Sequence, residues 1–307
     1  ADISRALDIK GISPILSFIA VLFLAGFGLK AALVPFHAWL PDAHPSAPAP
    51  ISAMLSGIFI KTLGVYALCR IFFNILGVSQ NILFIFIILG VISQIVGAIL
   101  AIAQNDIKRM FAYSSISQVG YIIFALGIGT PLAILGGLFH LFNHAIFKAL
   151  LFLDSGAIEY STGSRNLKSL GGLNSRLPVT ASTSLIGSMS IAGIPPLNGF
   201  WSKLIIIIAA IQAGYFGFAL IAILVSIVTL AYYLKFMGFT FFGKLDTALL
   251  RIKEVPLFMR LSMLILAIIC VLGGLLLIPQ FRPFLESAAN VLLSGKGYAG
   301  IVFGAVK

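Results

Sequence analysis

The sequence predicts an all-α polytopic membrane protein with about eight transmembrane helices, one or two of them broken. Three observations carry this prediction. Of 307 residues, 60% are hydrophobic and 9% charged, and the mean hydropathy is +1.11; a soluble domain is about one-quarter charged. Stretches such as 81–103 and 261–278 stay uncharged for about the length that crosses a ~30 Å hydrocarbon layer. They are also too long and too uniformly apolar for the short alternating strands of a β-barrel.

The first span covers about residues 14–40, and the second about 50–74, where Pro48 and Pro50 suit a helix start. The third covers about 81–104 and the fourth about 109–127. Pro131 opens the fifth, which continues to about Gly156. A sixth begins near Pro178, breaks at Gly193-Ile194-Pro195-Pro196-Leu197-Asn198-Gly199, and resumes to about Ala213. The seventh covers about 217–242 and the eighth about 256–278. After Pro279 the pattern is interrupted by Arg282, Glu286 and glycines, and it reads as a surface helix lying along the membrane.

Twenty basic residues against nine acidic ones give a net charge of +11. The bases are scattered, without the basic stripe and interleaved aromatics of a nucleic-acid binder. Loops after the first, third, fifth and seventh spans hold Lys108, Arg109, Arg165, Lys168, Arg176, Lys244, Arg251 and Lys253, whereas the opposite loops hold only Arg70 between spans. That bias puts the first set in the cytoplasm and both termini on the outer face of the cell membrane. Cys69 and Cys270 have no metal or redox spacing and read as buried thiols. The chain begins Ala-Asp-Ile-Ser without a signal-peptide pattern, as a processed chain, a split gene product or part of something longer would.

The informative residues are charges within the spans. Lys30 lies ten residues before the end of the first span and Lys61 eleven after the start of the second. Both therefore sit about 15–16 Å from the same face, near the bilayer midplane. His140, His144 and Lys148 follow at i, i+4 and i+8 on one face of the fifth span, and Lys203 comes four residues after the break in the sixth. An ionisable group at this depth costs about 2.5–3.5 kcal/mol, and four lysines on the order of 10 kcal/mol. Such groups persist where they line cavities or protein interior; Lys235, nearer a span end, reads as a snorkelling side chain. Burial disfavours the charged form of an amine and imidazole titrates near neutrality, so a row of such groups can hand protons along through water.

This is chemistry for ion translocation rather than bond-making. The sequence has no nucleophile–base pair, phosphate loop or dinucleotide fingerprint. His140 and His144 have zinc-pair spacing but no third ligand beside them, so no metal and no cofactor is expected in this chain. The breaks agree: irregular backbone at membrane depth lines cavities or is buried in protein. Gly193, Pro195, Pro196 and Gly199 form the strong break, and Pro35, with Gly26 and Gly28 near Lys30, a weaker one. All nine carboxylates fall in terminal segments, loops or span ends, Asp154 being the deepest. The lysines are thus expected to be neutral or to find glutamates on neighbouring protein.

Several long motifs resemble the proton-conducting antiporter-like subunits of respiratory complex I, Mrp-type antiporters, and membrane-bound hydrogenases and their sulfur-reducing relatives. The first runs from Lys30-Ala-Ala-Leu-Val-Pro-Phe-His37 through Asp42-Ala-His44 and Ala47-Pro48-Ala49-Pro50 to Lys61-Thr-Leu-Gly64-Val-Tyr66. The others are Asp106-Ile-Lys108-Arg109 with Tyr113 to Tyr121, His140 to Lys148, and Gly193 to Lys203; together they cover roughly residues 15–245.

The resemblance implies half of a fold of about fourteen helices built on two inverted five-helix repeats, each with a broken helix. Residues 1–76 would end the first repeat, 77–245 form the second, and 246–307 hold the last helix and a surface segment. It implies that Lys30 and Lys61 serve a first half-channel, His144 and Lys148 the connection, and Lys203 the end of a second. It also implies a glutamate partner for Lys30 on helices that precede Ala1 in the family, supplied here by another membrane subunit. The expected function is proton or sodium translocation within a redox-driven complex, whose peripheral partner subunits carry iron–sulfur clusters and nickel. The alternatives are an Mrp-type subunit without a redox partner, or a non-conducting scaffold.

Overall fold

A computed structural model of the chain describes residues 14–77, 79–245 and 247–297. Among these residues the architecture is helical, without named strands. The elements are α1 (Pro14–Ala31), a short α2 (Leu40–Ser46), α3 (Ala49–Leu76), α4 (Gln80–Ile102), α5 (Ile107–Ile128) and α6 (Pro131–Thr162). They continue with α7 (Pro178–Ala192), α8 (Asn198–Gln212), α9 (Phe216–Thr240), α10 (Leu257–Leu277) and α11 (Arg282–Leu293). Six of these, namely α3, α4, α5, α6, α9 and α10, are long and apolar enough to cross a membrane. Shorter apolar helices at Leu16–Ala31 and Asn198–Gln212 supply the other two expected spans, the second as part of the broken α7–α8 unit.

The packing is arranged for lipid. Large apolar side chains such as Leu220, Leu224 and Ile227 on α9, and Ile265 and Ile268 on α10, face outward, while serines, asparagines, histidines and lysines are buried. With lipid as apolar as leucine, helix association rests on close approach and polar contacts. The α4–α5 pair shows this directly. A Cβ on Gly90 or Gly97 would stand 2.5 Å from the amide nitrogen of Phe124 or Ser117, and one on Gly120 2.6 Å from that of Gln94. Nothing larger than glycine fits where these backbones touch. The α5 helix is the centre of the bundle, with nearly every residue from Met110 to Ile128 buried.

Two boundaries and one winding differ from the sequence expectation. The first span was expected to reach Leu40, but α1 stops at Ala31, because Ala32 adopts a left-handed φ of +56°. The Leu33 amide turns back to the Gly28 carbonyl at 2.9 Å, and the chain runs through turns to α2. The fifth span was expected to end near Gly156, yet α6 continues to Thr162. Gly156 does not end the helix; it makes room for Ala49, and the stop comes at Gly163, whose φ of +70° and bond to the Glu159 carbonyl cap the helix. The third difference is winding. Residues Leu55–Phe59, Lys61–Tyr66 and Arg70–Leu76 of α3 are π-helical, a geometry that concentrates at functional sites.

The tail helix α11 buries Leu285, Ala289 and Leu292. Asn74 of α3 donates to the Val291 and Gly295 carbonyls at 2.8 and 2.9 Å, so this segment is tied to the bundle by specific bonds. The loops after the first, third, fifth and seventh spans meet on one face. Arg109 pairs with Asp42 at 2.6 Å, Arg165 donates to the Pro45 carbonyl at 2.7 Å, Ser161 donates to the Lys253 carbonyl, and Gly172 bonds the Phe242 carbonyl.

Candidate functional site

The site is built on α6, which starts cleanly because Thr130 accepts the Ala133 amide and Pro131 occupies the first turn. Its 32 residues give about 48 Å of helix, placing Asn143, His144 and Lys148 in the middle third and His140 just before it. All four are fully buried.

Lys148 Nζ donates to the Phe111 carbonyl of α5 at 2.7 Å and to the Tyr233 hydroxyl of α9 at 3.3 Å. Tyr233 lies 3.1 Å from Ser114 Oγ, which also accepts from Tyr232 at 2.9 Å. The Phe111 and Phe152 rings stand 5.6 and 6.0 Å from the ammonium nitrogen. The head group is thus solvated by a carbonyl, hydroxyls and aromatic faces drawn from three helices.

Toward the other end of α6, His140 Nδ1 lies 2.9 Å from Ser202 Oγ of α8, and Ser202 also reaches the Gly199 carbonyl at 3.1 Å. Asn143 and Asn198 hold the break in place. Asn143 donates to the Asn198 carbonyl and Asn198 to the Asn143 side-chain oxygen, each at 3.0 Å, while Ser190 donates to Asn198 Oδ1. The break follows from Gly193, at φ +87°, which ends α7, and from Pro195 and Pro196, which lack amide protons. Gly199 lies so close to the Ser190 carbonyl that any Cβ would collide with it. All four predicted break residues therefore act at this turn.

Lys203 uses the ends that the break creates. Its Nζ donates to the Ile191 carbonyl at 2.8 Å and sits 4.8 Å from the Tyr121 ring centroid. Ile191 lies in the last turn of α7, where carbonyls have lost their helical partners and the macrodipole is negative. An ammonium is placed there without any acid: among the described residues Lys203 makes no ion pair. The Tyr121 ring lies 5.7 Å from that of His140, so Lys203, Tyr121 and His140 are contiguous.

Lys30 and Lys61 belong to a separate locus. The α1 and α3 backbones cross where a Cβ on Gly64 would stand 2.6 Å from the Ala31 nitrogen. The lysine-bearing turns are therefore adjacent. Lys30 occupies the exposed side of α1; the side chain of Lys61 lies outside the described residues. The Pro35 region turns away from α1, with the Val34 amide donating to Ser93 at 3.0 Å and the Trp39 indole to the Leu29 carbonyl at 2.9 Å. Between this locus and α6, Ser56 and Ser115 bond at 2.9 Å, and the amides of Gln94 and Gln118 are buried without a hydrogen-bond partner among the described residues. Buried amides in this condition call for water.

Sequence reasoning gave no role to Asn143, Asn198, Tyr121, Tyr232, Tyr233 and Ser114, although Asn198 stands in the break and Tyr121 closes a motif. Asn143 stands three residues after His140 and could have been found on that face; the tyrosines of α9 sit in an apolar run that offers no such signal. Lys235, read as snorkelling, donates to the Ile102 and Gln104 carbonyls at 2.9 and 2.8 Å, at the end of α4.

Buried amines, imidazoles, phenols and hydroxyls strung across a helical bundle with a broken helix define an integral membrane protein with a polar file in its interior. The comparisons make this specific: residues 2–229 match the NADH:quinone oxidoreductase/Mrp antiporter transmembrane family, and the chain belongs to it. It is 36% identical over 284 residues to hydrogenase-4 component B of Escherichia coli, covering 83% of this chain and 42% of that protein. The membrane-bound sulfane sulfur reductase, an archaeal respiratory membrane complex, contains a chain of TM-score 0.84 and 35% identity, with 92% of this chain and 48% of that one covered. The Mrp complex from Dietzia sp. contains one of TM-score 0.84 and 28% identity, with 92% and 60% covered. This chain spans about half the length of these relatives.

Proposed function

We propose that this chain forms part of the cation path of a multi-subunit respiratory membrane complex, moving protons or sodium ions across the cell membrane while carrying no redox centre itself. The observation that carries the proposal is the set of four fully or almost fully buried groups, His140, His144, Lys148 and Lys203, three of which, His140, Lys148 and Lys203, bond to neutral polar partners drawn from α5, α7, α8 and α9. A scaffold would gain nothing from charges that cost several kcal/mol each to bury. The path requires each group to exchange a proton with its neighbour. Hydroxyl groups that both accept and donate, such as Ser114, Tyr233 and Ser202, are the relays between them.

Lys30 supports the partner reading. An ammonium at an exposed position of α1, a helix that also exposes Phe18, Val21 and Leu22, calls for a neighbouring membrane subunit with a carboxylate at that depth. The redox partners of such a complex would hold the iron–sulfur clusters and nickel. Excess basic residues on the face with Lys108, Arg109 and Arg165 support a cytoplasmic location for that face and an outer one for the termini.

A second reading, an antiporter subunit without redox partners, is favoured by the equal structural likeness to the Mrp complex. Metal analysis of the natively purified assembly separates the two, because only the redox complex contains stoichiometric iron. Either reading is tested by Lys148→Ala in the native assembly reconstituted in liposomes. Cation flux is expected to fall by about 10²-fold, the usual weight of a positioned proton-transfer group. Unchanged flux from a correctly assembled complex would refute both.

A further inference from the structure

The lysine–histidine file leaves one buried acid unused. Asp154 is fully buried on α6, six residues beyond Lys148, and among the described residues no basic side chain pairs with it. Thr183 Oγ1 of α7 lies 2.8 Å from its Oδ1. Its Oδ2, with the hydroxyls of Ser184 and Ser188, is buried without a hydrogen-bond partner among the described residues. The titratable groups facing it are Glu254, from the loop before α10, and Cys270 of α10. Ser184 stands beside it on α7.

The contacts of Thr183 accommodate a proton on Asp154. Thr183 Oγ1 is within bonding distance of the carbonyls of Val179 and Thr180, both at 3.1 Å, and of Asp154 Oδ1. One hydroxyl proton cannot serve three acceptors well. The arrangement is satisfied when Asp154 holds a proton and donates it to Thr183, which then donates to the main chain. A bare carboxylate in this position would be an unpaired charge in the interior, which such a group avoids by neutralising. The donor set, one carboxyl and two hydroxyls, is too small for hard metal cations, which take six or more oxygens.

The same atoms lead to the surface. Glu254 is half-buried at the loop face; its Oε1 accepts from Thr180 Oγ1 at 2.8 Å, and its Oε2 accepts the Val179 amide at 2.8 Å. Thr180 stands one turn before Thr183 and Ser184. On the inward side, Ser188 follows one turn after Ser184, and Ser190 is bonded to Asn198 at the helix break. The polar stripe of α7 therefore runs from the loop face toward the site already described, with Asp154 opposite its middle.

We infer that Asp154 is a proton-binding station, loaded from the face bearing Glu254 through Thr180 and Thr183, and discharging along Ser184 and Ser188 toward Asn198. Glu254 takes a proton from water and releases it into the threonine pair; an O–H bond forms at Asp154 and is broken when the proton leaves toward the break. No other co-reactant is involved. The destination rests on the translocation reading, whereas the protonated carboxyl does not.

The experiment uses the native assembly in membranes and dicyclohexylcarbodiimide, which couples to protonated carboxyls in apolar surroundings. Mass spectrometry is expected to find the adduct on Asp154, with a yield that falls as the pH is raised. Asp154→Asn should lower proton flux by about tenfold or more and Asp154→Glu should restore most of it. Glu254→Gln should slow flux while leaving the adduct in place, which keeps the test open if Asp154→Asn fails to assemble. Absence of an adduct at every pH, or protection of Asp154 by sodium ions at constant pH, overturns the station. An adduct in a complex that moves no cation would instead sink the translocation reading and leave the station standing.

Discussion

Replacing Lys203 with methionine separates the energetics of the fold from the chemistry of the path. The substitution keeps most of the stem, which packs beside Gly193, and removes the ammonium. Lost are the charged bond to the Ile191 carbonyl, worth about 1.5–3 kcal/mol, and the contact with the Tyr121 ring, worth up to about 2 kcal/mol when desolvated. Against these stands relief from burying an ammonium with no acid beside it, a penalty of several kcal/mol. The two sides nearly cancel, so the assembled complex should lose at most ~2 kcal/mol and keep its midpoint of thermal unfolding within a few degrees. Flux behaves differently, because a thioether holds no proton and nothing replaces the group at the end of α7. Proton uptake by proteoliposomes containing the native assembly, read with a pH-sensitive dye, should fall by about 10²-fold or more. A methionine variant that pumps at the parent rate would refute the reasoning outright. So would one whose complex falls apart, since Lys203 would then be there to hold the break together.

Two further substitutions test the frame around the file. Gly64→Val places a branched side chain where even a Cβ would be 2.6 Å from the Ala31 nitrogen. Parting α1 from α3 should cost about 1–3 kcal/mol in unfolding of the solubilised complex and reduce flux as well. Lys108 and Arg109 are neighbours in sequence with opposite weights. Lys108→Met removes a buried ammonium from Glu159 at 3.0 Å, which keeps Arg165 at 3.6 Å, and from the Ala47 carbonyl at 3.1 Å, at a cost of about 1–3 kcal/mol. Arg109→Ala breaks an exposed pair with Asp42 and should cost under about 1 kcal/mol. Equal losses in denaturant melts would contradict this ranking.

What the sequence revealed and what it concealed follow from one asymmetry in the energetics of lipid. A lysine or histidine in hydrocarbon is so costly that its presence in a span is a signal in itself, and α-helical periodicity then assigns it a face. His140, His144 and Lys148 were legible for this reason, and Lys203 because a glycine–proline break stands beside it. Asparagine, serine, tyrosine and threonine cost far less, pair readily, and are scattered through membrane helices without marking anything. The groups that solvate the charges, Asn143, Asn198, Tyr233 and Ser114, were therefore silent until tertiary packing brought α5, α7 and α9 against α6. Backbone departures were equally silent. Ala32 gives no compositional hint of its left-handed conformation, and the π-winding of α3 leaves a hydrophobic run looking as it would in any helix. Asp154 lies between the two cases. Its charge made it visible, but its distance from the lysines and its place in the last third of the span made it look like a surface residue. The structure shows α6 extending beyond it for two further turns, with a hydroxyl stripe from another helix laid alongside. Depth in such a protein is thus set by where the helix stops, and Gly163, not Gly156, decided that.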